Sequence, residues 1–593
     1  MLHIKNLYKT ARDHDAALYL GLLLFLKLLL FSRLTMYGRE MEYLSGYWVT
    51  IPGTALLVLG LSSLLKVRAR MYFWLLLEVS LNLLMLLDFW HSRYFQSPTS
   101  VYSLLQMGNL QGLEGSILGI IRASDFLLLL DLPLALWLIM RIRQKAMPPV
   151  QTKLAGLLLL AGTLLFVLKP ADRMLQHKGI FSSWDRLEDL VNYNVLGFHV
   201  VDSVRAVFFS TRLKLDAGQK KSIRSWYKRH MALRQTIDAA ADKTSGKKKL
   251  NLIIVQVESL PEIVMEQGPL SQELVPNLMR IAGESLHFTN VHAQNRSGGT
   301  SDAELMVISG LLPVQEGSTF FRFADDDYPS IFKLLGRQRY HVAAFHGNRA
   351  SYWNRASIYP HFGVRKFYDL QTFKNLPRTE MGVGDAGFFA KSIEIINKIP
   401  QPMACYLITL DAHVGRITDS AEPYLRSLKR SDAAIGAFYD GLKRAGLLDT
   451  SLVVFFGDHP PFIRPEVLRQ HADQRWLGDA ARRIPLIMHV PGTVAKTIST
   501  HGGHVDILPT ILQLLGQPPA ALPLCVGRSL LDPRYDFAAL PRNKFYAADK
   551  TPLQLRNEAV DAFRVSDMMI RSNDFSAVQA VLAAPPQASL PGR

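Results

Sequence analysis

The chain has 593 residues, of which 49% are hydrophobic and 20% are charged, and its 67 Lys and Arg residues against 50 Asp and Glu give a net charge of +17. This length and apolar content exclude a small disulfide-stapled scaffold and a wholly disordered chain. The two cysteines, Cys405 and Cys525, are too few for a disulfide framework or a cysteine-based zinc site.

Apolar residues concentrate before about residue 170, in stretches long enough to cross a hydrocarbon core of about 30 Å. We predict a transmembrane domain over residues 1–169 with about five spans. The predicted spans are Ala16–Leu34, Tyr47–Leu65, Met71–Trp90, Asp125–Met140 and Leu154–Leu168. Lys and Arg are enriched before the first span, between the second and third, and between the fourth and fifth, which places these segments in the cytoplasm. We therefore expect a multi-pass cell-membrane protein whose domain after Lys169 is extracytoplasmic.

Four carboxylates lie in or at the edges of the predicted spans, where charged side chains are costly. They are Glu78, Asp88, Asp125 and Asp131. One interpretation is a proton or ion pathway. The other is pairing between helices or at the membrane interface, which is favoured because three of the four lie near a span end.

Residues 170–249 are polar and amphipathic, and we predict a connector there. Within it, Arg224–Arg234 is basic with interleaved aromatic residues. Outside a membrane such a segment is expected to lie against anionic lipid head groups or to form a solvated helix face, and we expect no nucleic-acid partner. Residues 571–593 are predicted to be a partly disordered C-terminal tail.

Apolar runs alternate with helical periodicity over residues 250–570, which predicts an α/β domain. Four of the runs read as buried strands that end in side chains able to bind a metal or a phosphate. The four runs end at Glu258-Ser259, His346-Gly347-Asn348, Asp411-Ala412-His413 and Gly457-Asp458-His459. Each alone is better explained as a strand terminator or helix cap, but ligand sites in open α/β sheets lie at the carboxyl ends of strands, so four together favour a site. Carboxylates and imidazoles suit Mn²⁺, Mg²⁺ or Zn²⁺.

The segment NRSGGTSDAELM, over residues 295–306, has the features of an anion-binding helix start. Two glycines permit an unusual backbone path, and Thr300 follows with acids in the first helical turn. A helix N-terminus suits a phosphate, and a hydroxyl beside a divalent metal is an activated nucleophile. Thr300 is therefore a candidate nucleophile as well as a candidate N-cap.

Six motifs in chain order resemble the lipoteichoic acid synthase family. They are VQVESL, SGGTSDAEL, FHGN…YWNR, LDAH, FFGDHPP and HVDILPTIL. The family consists of membrane-anchored phosphoglycerol transferases of the alkaline phosphatase/sulfatase superfamily. The resemblance covers about residues 251–530 and extends to the five-span half and the element NVLGFHVVD. It implies an N-terminal transmembrane helix bundle followed by an extracytoplasmic α/β/α sandwich of alkaline phosphatase/sulfatase type.

The resemblance also implies roles for individual residues. The family's metal ligands, usually read as holding Mn²⁺ or Mg²⁺, match Glu258, Thr300, Asp458 and His459. The residues lining its glycerol-phosphate pocket match His346, Trp353, Arg355 and His413. Thr300 also matches the nucleophile, and Arg355 can pair with phosphate oxygens in a fork. By contrast, we expect His504, Asp506 and Asp385 to be structural.

The implied reaction transfers glycerol phosphate from phosphatidylglycerol to a glycolipid or a lipid-anchored polyglycerolphosphate acceptor, as in lipoteichoic acid synthesis. A sulfatase is disfavoured because Thr300 occupies the nucleophile position and no Cys/Ser-x-Pro-x-Arg segment precedes a helix. Two alternatives stay open. One is a phosphoethanolamine or phosphoglycerol transferase that acts on another envelope glycan, although the phosphoethanolamine enzymes generally carry several disulfides. The other is a non-catalytic envelope protein of the same fold.

Overall fold

The computed structural model describes two compact units, one formed by the helices up to residue 209 and the other by residues from 212 onward. In the described ranges the first unit is built of helices, whereas the second combines helices and strands. The described residues are 2–35, 47–95, 98–99, 101, 121–144, 152–175, 186–209, 212–235, 249–266, 269–379, 381–413, 421–461, 482–532, 534–541, 544–547 and 553–583.

Long apolar helices form the first unit. They are Leu2–Thr35, Tyr47–Ser63, Val67–Phe95, Leu132–Gln144, Thr152–Leu175 and Arg186–Phe209, with a 3₁₀ helix at Ala123–Leu129. Within the described residues, three stretches are long and apolar enough to cross a membrane, namely Ala16–Leu34, Val67–His91 and Ala123–Arg141. Two shorter apolar helices are Trp48–Ser63 and Thr152–Leu168. All five predicted spans thus fall on helices, and the number that crosses the bilayer stays a prediction.

A buried charge cluster joins the three long candidate spans within the first unit. The Lys27 ammonium forms an ion pair with Glu78 and lies 2.9 Å from Oδ1 of Asp131. Each of the three residues lies near the middle of its own span. Because a charge in hydrocarbon is costly unless it is paired, these contacts favour the interpretation of pairing between helices.

The other two membrane carboxylates also have partners inside the first unit. Asp88 lies 2.9 Å from Nε2 of His199, and it accepts a 2.9 Å hydrogen bond from the backbone N–H of Thr99. Asp125 accepts a 3.0 Å hydrogen bond from the indole N–H of Trp90. These contacts again favour pairing over an ion pathway.

The second unit contains a large, mainly parallel sheet. Its strands, with those of two small hairpins, are β1 Asn251–Val257, β2 Leu286–His292, β3 His341–His346, β4 Lys366–Tyr368, β5 Arg378–Thr379, β6 Gly382–Val383, β7 Met403–Ile408, β8 Ser451–Gly457, β9 Arg483–His489, β10 Lys496–Ile498, β11 Gly502–Gly503, β12 Phe537–Leu540 and β13 Lys544–Ala547. The order in the large sheet is β10–β2–β9–β8–β1–β7–β3–β4, and β11 pairs with β2. The four strands predicted from the sequence are confirmed as the adjacent parallel set β8–β1–β7–β3.

Helices cover both faces of this sheet. Ile253 of β1 belongs to a core that includes helices Asp385–Ile396 and Glu422–Arg444, whereas Gln256 faces the other way and donates a 3.1 Å hydrogen bond to the carbonyl of Thr300. The α-helices of the unit are Ala217–Gln235, Pro269–Leu274, Pro276–Gly283, Thr300–Ser309, Thr319–Arg322, Ile331–Arg337, Arg355–Ile358, Asp385–Ile396, Glu422–Arg444, Ile507–Leu514, Leu553–Ser572 and Phe575–Ala583. Short 3₁₀ helices lie at Glu262–Met265, Tyr352–Asn354, Tyr359–Phe362, Leu448–Thr450, His504–Asp506 and Pro519–Ala521. This is the three-layer α/β/α arrangement that the family resemblance implies.

The segment predicted as one connector, residues 170–249, divides between the two units. Helix Arg186–Phe209 belongs to the first unit and helix Ala217–Gln235 to the second. The second helix packs on its own unit through buried Trp226, whose indole donates a 3.3 Å hydrogen bond to the carbonyl of Glu558. Alternating basic and aromatic residues therefore separate an exposed face from a face that packs on protein.

The described part of the predicted C-terminal tail, residues 571–583, is mostly helical. Helix Leu553–Ser572 crosses the boundary placed at residue 570, and helix Phe575–Ala583 follows it. Phe575 and Val578 are buried, so apolar packing orders this second helix. Residues 584–593 of the predicted tail lie outside the described residues.

Candidate active site

The carboxyl ends of β8, β1, β7 and β3 meet at one edge of the sheet. Glu258 follows β1, Asp458 and His459 follow β8, His413 lies beyond β7, and His346 ends β3. The register keeps these ends together, since the Asp458 N–H donates a 3.1 Å hydrogen bond to the last carbonyl of β1. Parallel pairing therefore brings together side chains that are about 200 residues apart in sequence.

Three of these side chains form a compact cluster of potential metal ligands. One ligand atom each from Glu258, Asp458 and His459 lies within 4.8 Å of the others, and all three residues are buried. Nε2 of His459 is 3.7 Å from Oε1 of Glu258 and 3.5 Å from Oδ2 of Asp458. The backbone N–H groups of Ser259 and His459 each donate a 2.8 Å hydrogen bond to Oδ1 of Asp458, which directs Oδ2 toward the cluster.

The pKa shifts of Asp458 and His459 indicate that this cluster would bind a cation. Burial raises the pKa of Asp458, and the nearby charge of Glu258 raises it further. Burial opposes protonation of His459, but the carboxylates of Asp458 and Glu258 outweigh it and raise the pKa of the imidazole. A cation bound between the two carboxylates and the imidazole would therefore stabilise the buried negative charge.

Thr300 begins its helix at a loop that only glycine permits. Gly299 has φ of 49°, in the left-handed region. Oδ2 of Asp302 accepts hydrogen bonds from the backbone N–H groups of Arg296, at 2.8 Å, and Gly298, at 3.0 Å, and so closes the loop in front of Thr300. A Cβ at Gly298 would lie 2.1 Å from Oδ1 of Asp302, so this close approach requires glycine.

The loop places the Thr300 hydroxyl beside the carboxylate and imidazole cluster. Oγ1 lies 3.4 Å from Oε2 of Glu258 and 3.5 Å from Nε2 of His459. Thr300 also stands at the start of a helix, where the helix dipole favours an anion, although the N–H groups of Ser301 and Asp302 already donate 3.0 Å hydrogen bonds to the carbonyls of Gly298 and Gly299. A phosphate at this point would meet a hydroxyl, a helix N-terminus and the cluster together.

Of the two histidines predicted to line the pocket, His346 is buried and His413 is half-buried. Nε2 of His346 has no hydrogen-bond partner among the described residues, and its Nδ1 is 3.4 Å from the carbonyl of Ile408. Burial lowers the pKa of His346 well below its ordinary value, and Arg355 lowers it further. Burial also lowers the pKa of His413. Both imidazoles are therefore neutral near pH 7 and able to donate or accept a proton.

Tyr352 connects the predicted pocket residues with the cluster. Its ring centroid lies 6.4 Å from that of His346 and 6.3 Å from that of Trp353, and Cζ of Arg355 lies 5.9 Å from it. Burial raises the pKa of Tyr352, and the charge of Glu258 raises it further. His346, Trp353 and Arg355 thus surround one tyrosine.

The guanidinium of Arg355 does not have all of its N–H donors available for a phosphate. Its Nε lies 3.0 Å from Oε1 and 3.1 Å from Oε2 of Glu304, and its Nη2 lies 2.5 Å from Oε1. One edge of the guanidinium is therefore engaged by a carboxylate of the protein itself, because the buried charge of Glu304 needs a partner. Phosphate recognition by Arg355 stays a prediction, and it is restricted to the donors that this ion pair leaves.

Comparisons with known proteins agree with this architecture. A model of the lipoteichoic acid synthase N-terminal domain matches residues 1–213, and a sulfatase model matches residues 250–517. Lipoteichoic acid synthase 1 of Bacillus subtilis (strain 168) is 26% identical over 496 residues, which cover 78% of this chain and 76% of the relative. Lipoteichoic acid synthase of Staphylococcus aureus (strain NCTC 8325 / PS 47) is 25% identical over 500 residues, covering 78% and 75% respectively.

Among solved structures, the lipoteichoic acid synthase LtaP from Listeria monocytogenes is 24% identical with a TM-score of 0.48, and the match covers 57% of this chain and 98% of that chain. The two family models match both halves of the sequence in the order seen in the two structural units. In both halves the chain is similar to the lipoteichoic acid synthase family. Its second unit is accordingly of the alkaline phosphatase/sulfatase type, a metal-dependent superfamily.

The residues present fit the divalent metal that this family implies. Oδ2 of Asp458 is buried without a hydrogen-bond partner among the described residues, and a cation would supply the missing interaction. The donor set of two carboxylates, an imidazole and a hydroxyl suits Mn²⁺ or Mg²⁺. Glu258, Asp458 and His459 would hold the ion, with Thr300 beside it.

The three residues expected to be structural make bonds within the fold of the second unit. Nδ1 of His504 accepts a 3.1 Å hydrogen bond from the Gln294 N–H, and its Nε2 lies 3.1 Å from the Gly457 carbonyl. Asp506 accepts a 2.8 Å hydrogen bond from the Gly503 N–H, in the turn that precedes helix Ile507–Leu514. Asp385 accepts hydrogen bonds from the Leu410 N–H at 2.7 Å and the Ser431 hydroxyl at 2.8 Å.

Sequence reasoning missed Glu304 and Tyr352, although both lie inside motifs shared with the lipoteichoic acid synthase family. Glu304 follows Thr300 by four residues, so the helical period places both side chains on one face. That spacing was the available signal for a carboxylate near the nucleophile. No comparable signal pointed to Tyr352, because a buried tyrosine has the same pattern whether it lines a pocket or packs in a core.

Proposed function

We propose that the chain transfers glycerol phosphate from phosphatidylglycerol to a glycolipid or a lipid-anchored polyglycerolphosphate acceptor, through a covalent phosphothreonine-type intermediate at Thr300. The observation that carries this proposal is the position of Thr300 Oγ1, 3.4 Å from Glu258 and 3.5 Å from His459, at the start of a helix. The lipoteichoic acid synthases named above among its relatives support the donor and acceptor classes.

In the first half-reaction the Thr300 oxygen forms a bond to the phosphorus of the lipid head group. The bond from phosphorus to the diacylglycerol oxygen breaks, and that oxygen takes up a proton while Thr300 loses one. In the second half-reaction a hydroxyl of the acceptor attacks the same phosphorus, and the bond from phosphorus to the Thr300 oxygen breaks. The acceptor hydroxyl loses a proton and the Thr300 oxygen takes one up. Bound at the cluster, Mn²⁺ or Mg²⁺ would lower the pKa of a hydroxyl and neutralise phosphate charge.

The chain's own residues have separate tasks in this scheme. The helix start and Arg355 stabilise the negative charge of the phosphoryl oxygens. His346 and His413, which burial keeps neutral, move protons at the leaving and entering oxygens. Trp353 contacts the glycerol moiety.

The test uses full-length protein in vesicles of labelled phosphatidylglycerol with Mn²⁺. Wild-type protein should release diacylglycerol and gain the mass of one glycerophosphoryl group, whereas Thr300→Ala should do neither. Ser309→Ala removes a buried hydroxyl from the other end of the same helix and serves as the matched control. Undiminished diacylglycerol release by Thr300→Ala would refute the nucleophile assignment.

A panel of vesicles separates the donor classes. Phosphatidylethanolamine in place of phosphatidylglycerol should give no release under the same conditions, and release from it alone would instead support a phosphoethanolamine transferase. Running the panel with Mn²⁺, with Mg²⁺ and with chelator determines the metal. A protein that binds no divalent ion in isothermal titration would support the non-catalytic alternative.

We further propose a multi-pass topology with the second unit outside the cytoplasm. Both native cysteines are buried, so single exposed cysteines can report the topology. Val494 is 85% exposed in the second unit, and Lys66 is exposed between the second and third predicted spans. In intact cells a membrane-impermeant maleimide should label Val494→Cys and not Lys66→Cys. The opposite pattern would overturn the orientation.

A further inference from the structure

Glu304 is the centre of a buried polar network one turn into the Thr300 helix, Thr300–Ser309. It is fully buried, and its carboxylate accepts hydrogen bonds from Arg355 and a 2.6 Å hydrogen bond from the hydroxyl of Tyr359. Burial opposes the charge of Arg355, but Glu304 outweighs it and raises the pKa of the guanidinium. The network therefore ties the helix of the candidate nucleophile to the segment that carries Trp353 and Arg355.

The buried network uses only some of the N–H donors of Arg355, and the others are available to a ligand. A guanidinium has five N–H donors. One on Nε and one on Nη2 point to Glu304, and one on Nη1 makes a 3.4 Å hydrogen bond to the carbonyl of Tyr352. Two donors are left after these bonds, one on each terminal nitrogen. That pair matches the two oxygens of a phosphate in an end-on geometry.

The backbone conformation of the two residues before Arg355 is a second observation, separate from the hydrogen bonds of Glu304, which indicates that Arg355 is held in a fixed position. Trp353 and Asn354 have φ of 54° and 55°, so two consecutive residues other than glycine adopt the left-handed region. The side chain of Asn354 secures this conformation by donating a 2.8 Å hydrogen bond to the carbonyl of Phe320. Such strain persists only where surrounding contacts over-determine it, and it concentrates at ligand-binding segments.

We propose that Glu304 is a positioning residue that fixes the end of Arg355 so that its two remaining donors bind a phosphodiester or phosphomonoester next to Thr300. Tyr359 assists by holding the second carboxylate oxygen. Glu304 acts through Arg355 and does not touch the substrate. The inference rests on the proposed function for the identity of the reacting phosphate, while the positioning itself concerns binding and is testable without turnover.

The experiment compares Glu304→Gln with Asp326→Asn in the full-length protein. Asp326 is likewise a fully buried carboxylate paired with an arginine, Arg212, in the same unit, and no role in the site is assigned to it. The readouts are the melting temperature, Mn²⁺ affinity, affinity for glycerol phosphate by isothermal titration, and KM and kcat for phosphatidylglycerol. Both variants should melt earlier than the wild type and bind Mn²⁺ normally.

Only Glu304→Gln should weaken glycerol phosphate binding, by about tenfold or more, and raise the KM for phosphatidylglycerol by a similar factor. Asp326→Asn should stay within about twofold of wild type in both. Equal effects of the two variants, unchanged glycerol phosphate binding by Glu304→Gln, or a wild type that does not bind the probe would each overturn the proposal.

A second variant covers the case in which Glu304→Gln does not fold. Tyr359→Phe removes one donor to Glu304 and keeps the ion pair with Arg355, and it should weaken glycerol phosphate binding by about threefold. No change in binding would count against the network. If the wild type binds the probe but releases no diacylglycerol from any lipid, the proposed function fails while the positioning inference is still decided by the binding data.

Discussion

Replacing Gly298 with alanine tests whether the loop before Thr300 is needed to position the Thr300 hydroxyl. The new Cβ would lie 2.1 Å from Oδ1 and 2.6 Å from Cγ of Asp302, far inside contact distance. Asp302 would have to move, and its hydrogen bonds to the backbone N–H groups of Arg296 and Gly298, at 2.8 and 3.0 Å, would be lost or stretched. Burial raises the pKa of Asp302 to about 7, so the carboxyl is only partly ionised near neutral pH. At about 0.5–1.5 kcal/mol for each ordinary hydrogen bond, the loop would lose about 1–3 kcal/mol.

The expected functional effect of Gly298→Ala follows from the displacement of Thr300. A reacting group that shifts by about 1 Å costs roughly 100-fold in rate, so kcat for diacylglycerol release should fall about 100-fold. Gly283→Ala is the matched control, because a Cβ there would meet nothing within 4 Å at the end of helix Pro276–Gly283. The assay is release from phosphatidylglycerol vesicles at a temperature where both variants are folded. A kcat within threefold of wild type for Gly298→Ala would refute the reasoning.

Three further predictions address the membrane cluster, pH and the metal. Lys27→Met should lower the unfolding free energy of the first unit by about 3–5 kcal/mol, because Glu78 and Asp131 lose their cation, and thermal melting of the protein in micelles measures this. Burial, followed by the charge of Arg234, lowers the pKa of His230 to about 3. Below pH 6.5 the unfolded state therefore binds a proton that the folded state does not. Stability should fall by up to about 1.4 kcal/mol per pH unit between pH 6.5 and 3, and His230→Asn should flatten that slope in melts at several pH values. Chelation should abolish diacylglycerol release and added Mn²⁺ should restore it, whereas full activity in chelator would exclude a metal requirement.

Much of the fold was accessible from the sequence because its signals are local. Apart from Asn251 and Gln256 the run LNLIIVQV is apolar, as expected for a strand covered on both faces, and it forms β1 in the centre of the sheet. The same reasoning located β3, β7 and β8, and their parallel pairing explains why polar residues that follow them converge. The boundary between the two units was harder to predict from the sequence. Ala217–Gln235 has the composition of a surface helix, and only its contacts through residues such as Trp226 show which unit it covers.

Pairwise contacts in the site could not be predicted in the same way. Glu304 in the helix of Thr300 reads as a helix-forming residue, and nothing in its neighbourhood indicates that its partner lies 51 residues away. The fork of Arg355 was therefore expected to be free for phosphate. The N–H donors of an arginine that stay available for a ligand depend on all hydrogen-bond acceptors near it in space. The sequence shows only which acceptors are near it along the chain.

The acidic residues near Thr300 divide into two groups with different physical tasks. Glu258 and Asp458 stand at strand ends, where the sheet gives them rigid positions and leaves oxygen atoms directed at a common space. Asp302 and Glu304 belong to the Thr300 helix itself. Oδ2 of Asp302 accepts hydrogen bonds from backbone N–H groups, and the carboxylate of Glu304 accepts them from an arginine. A substitution in the first group should change metal affinity first, whereas one in the second should leave metal affinity intact and alter rate or phosphate binding. Titrating Mn²⁺ into Asp458→Asn and Glu304→Gln side by side separates the two tasks, and equal loss of metal affinity in both variants would contradict the division.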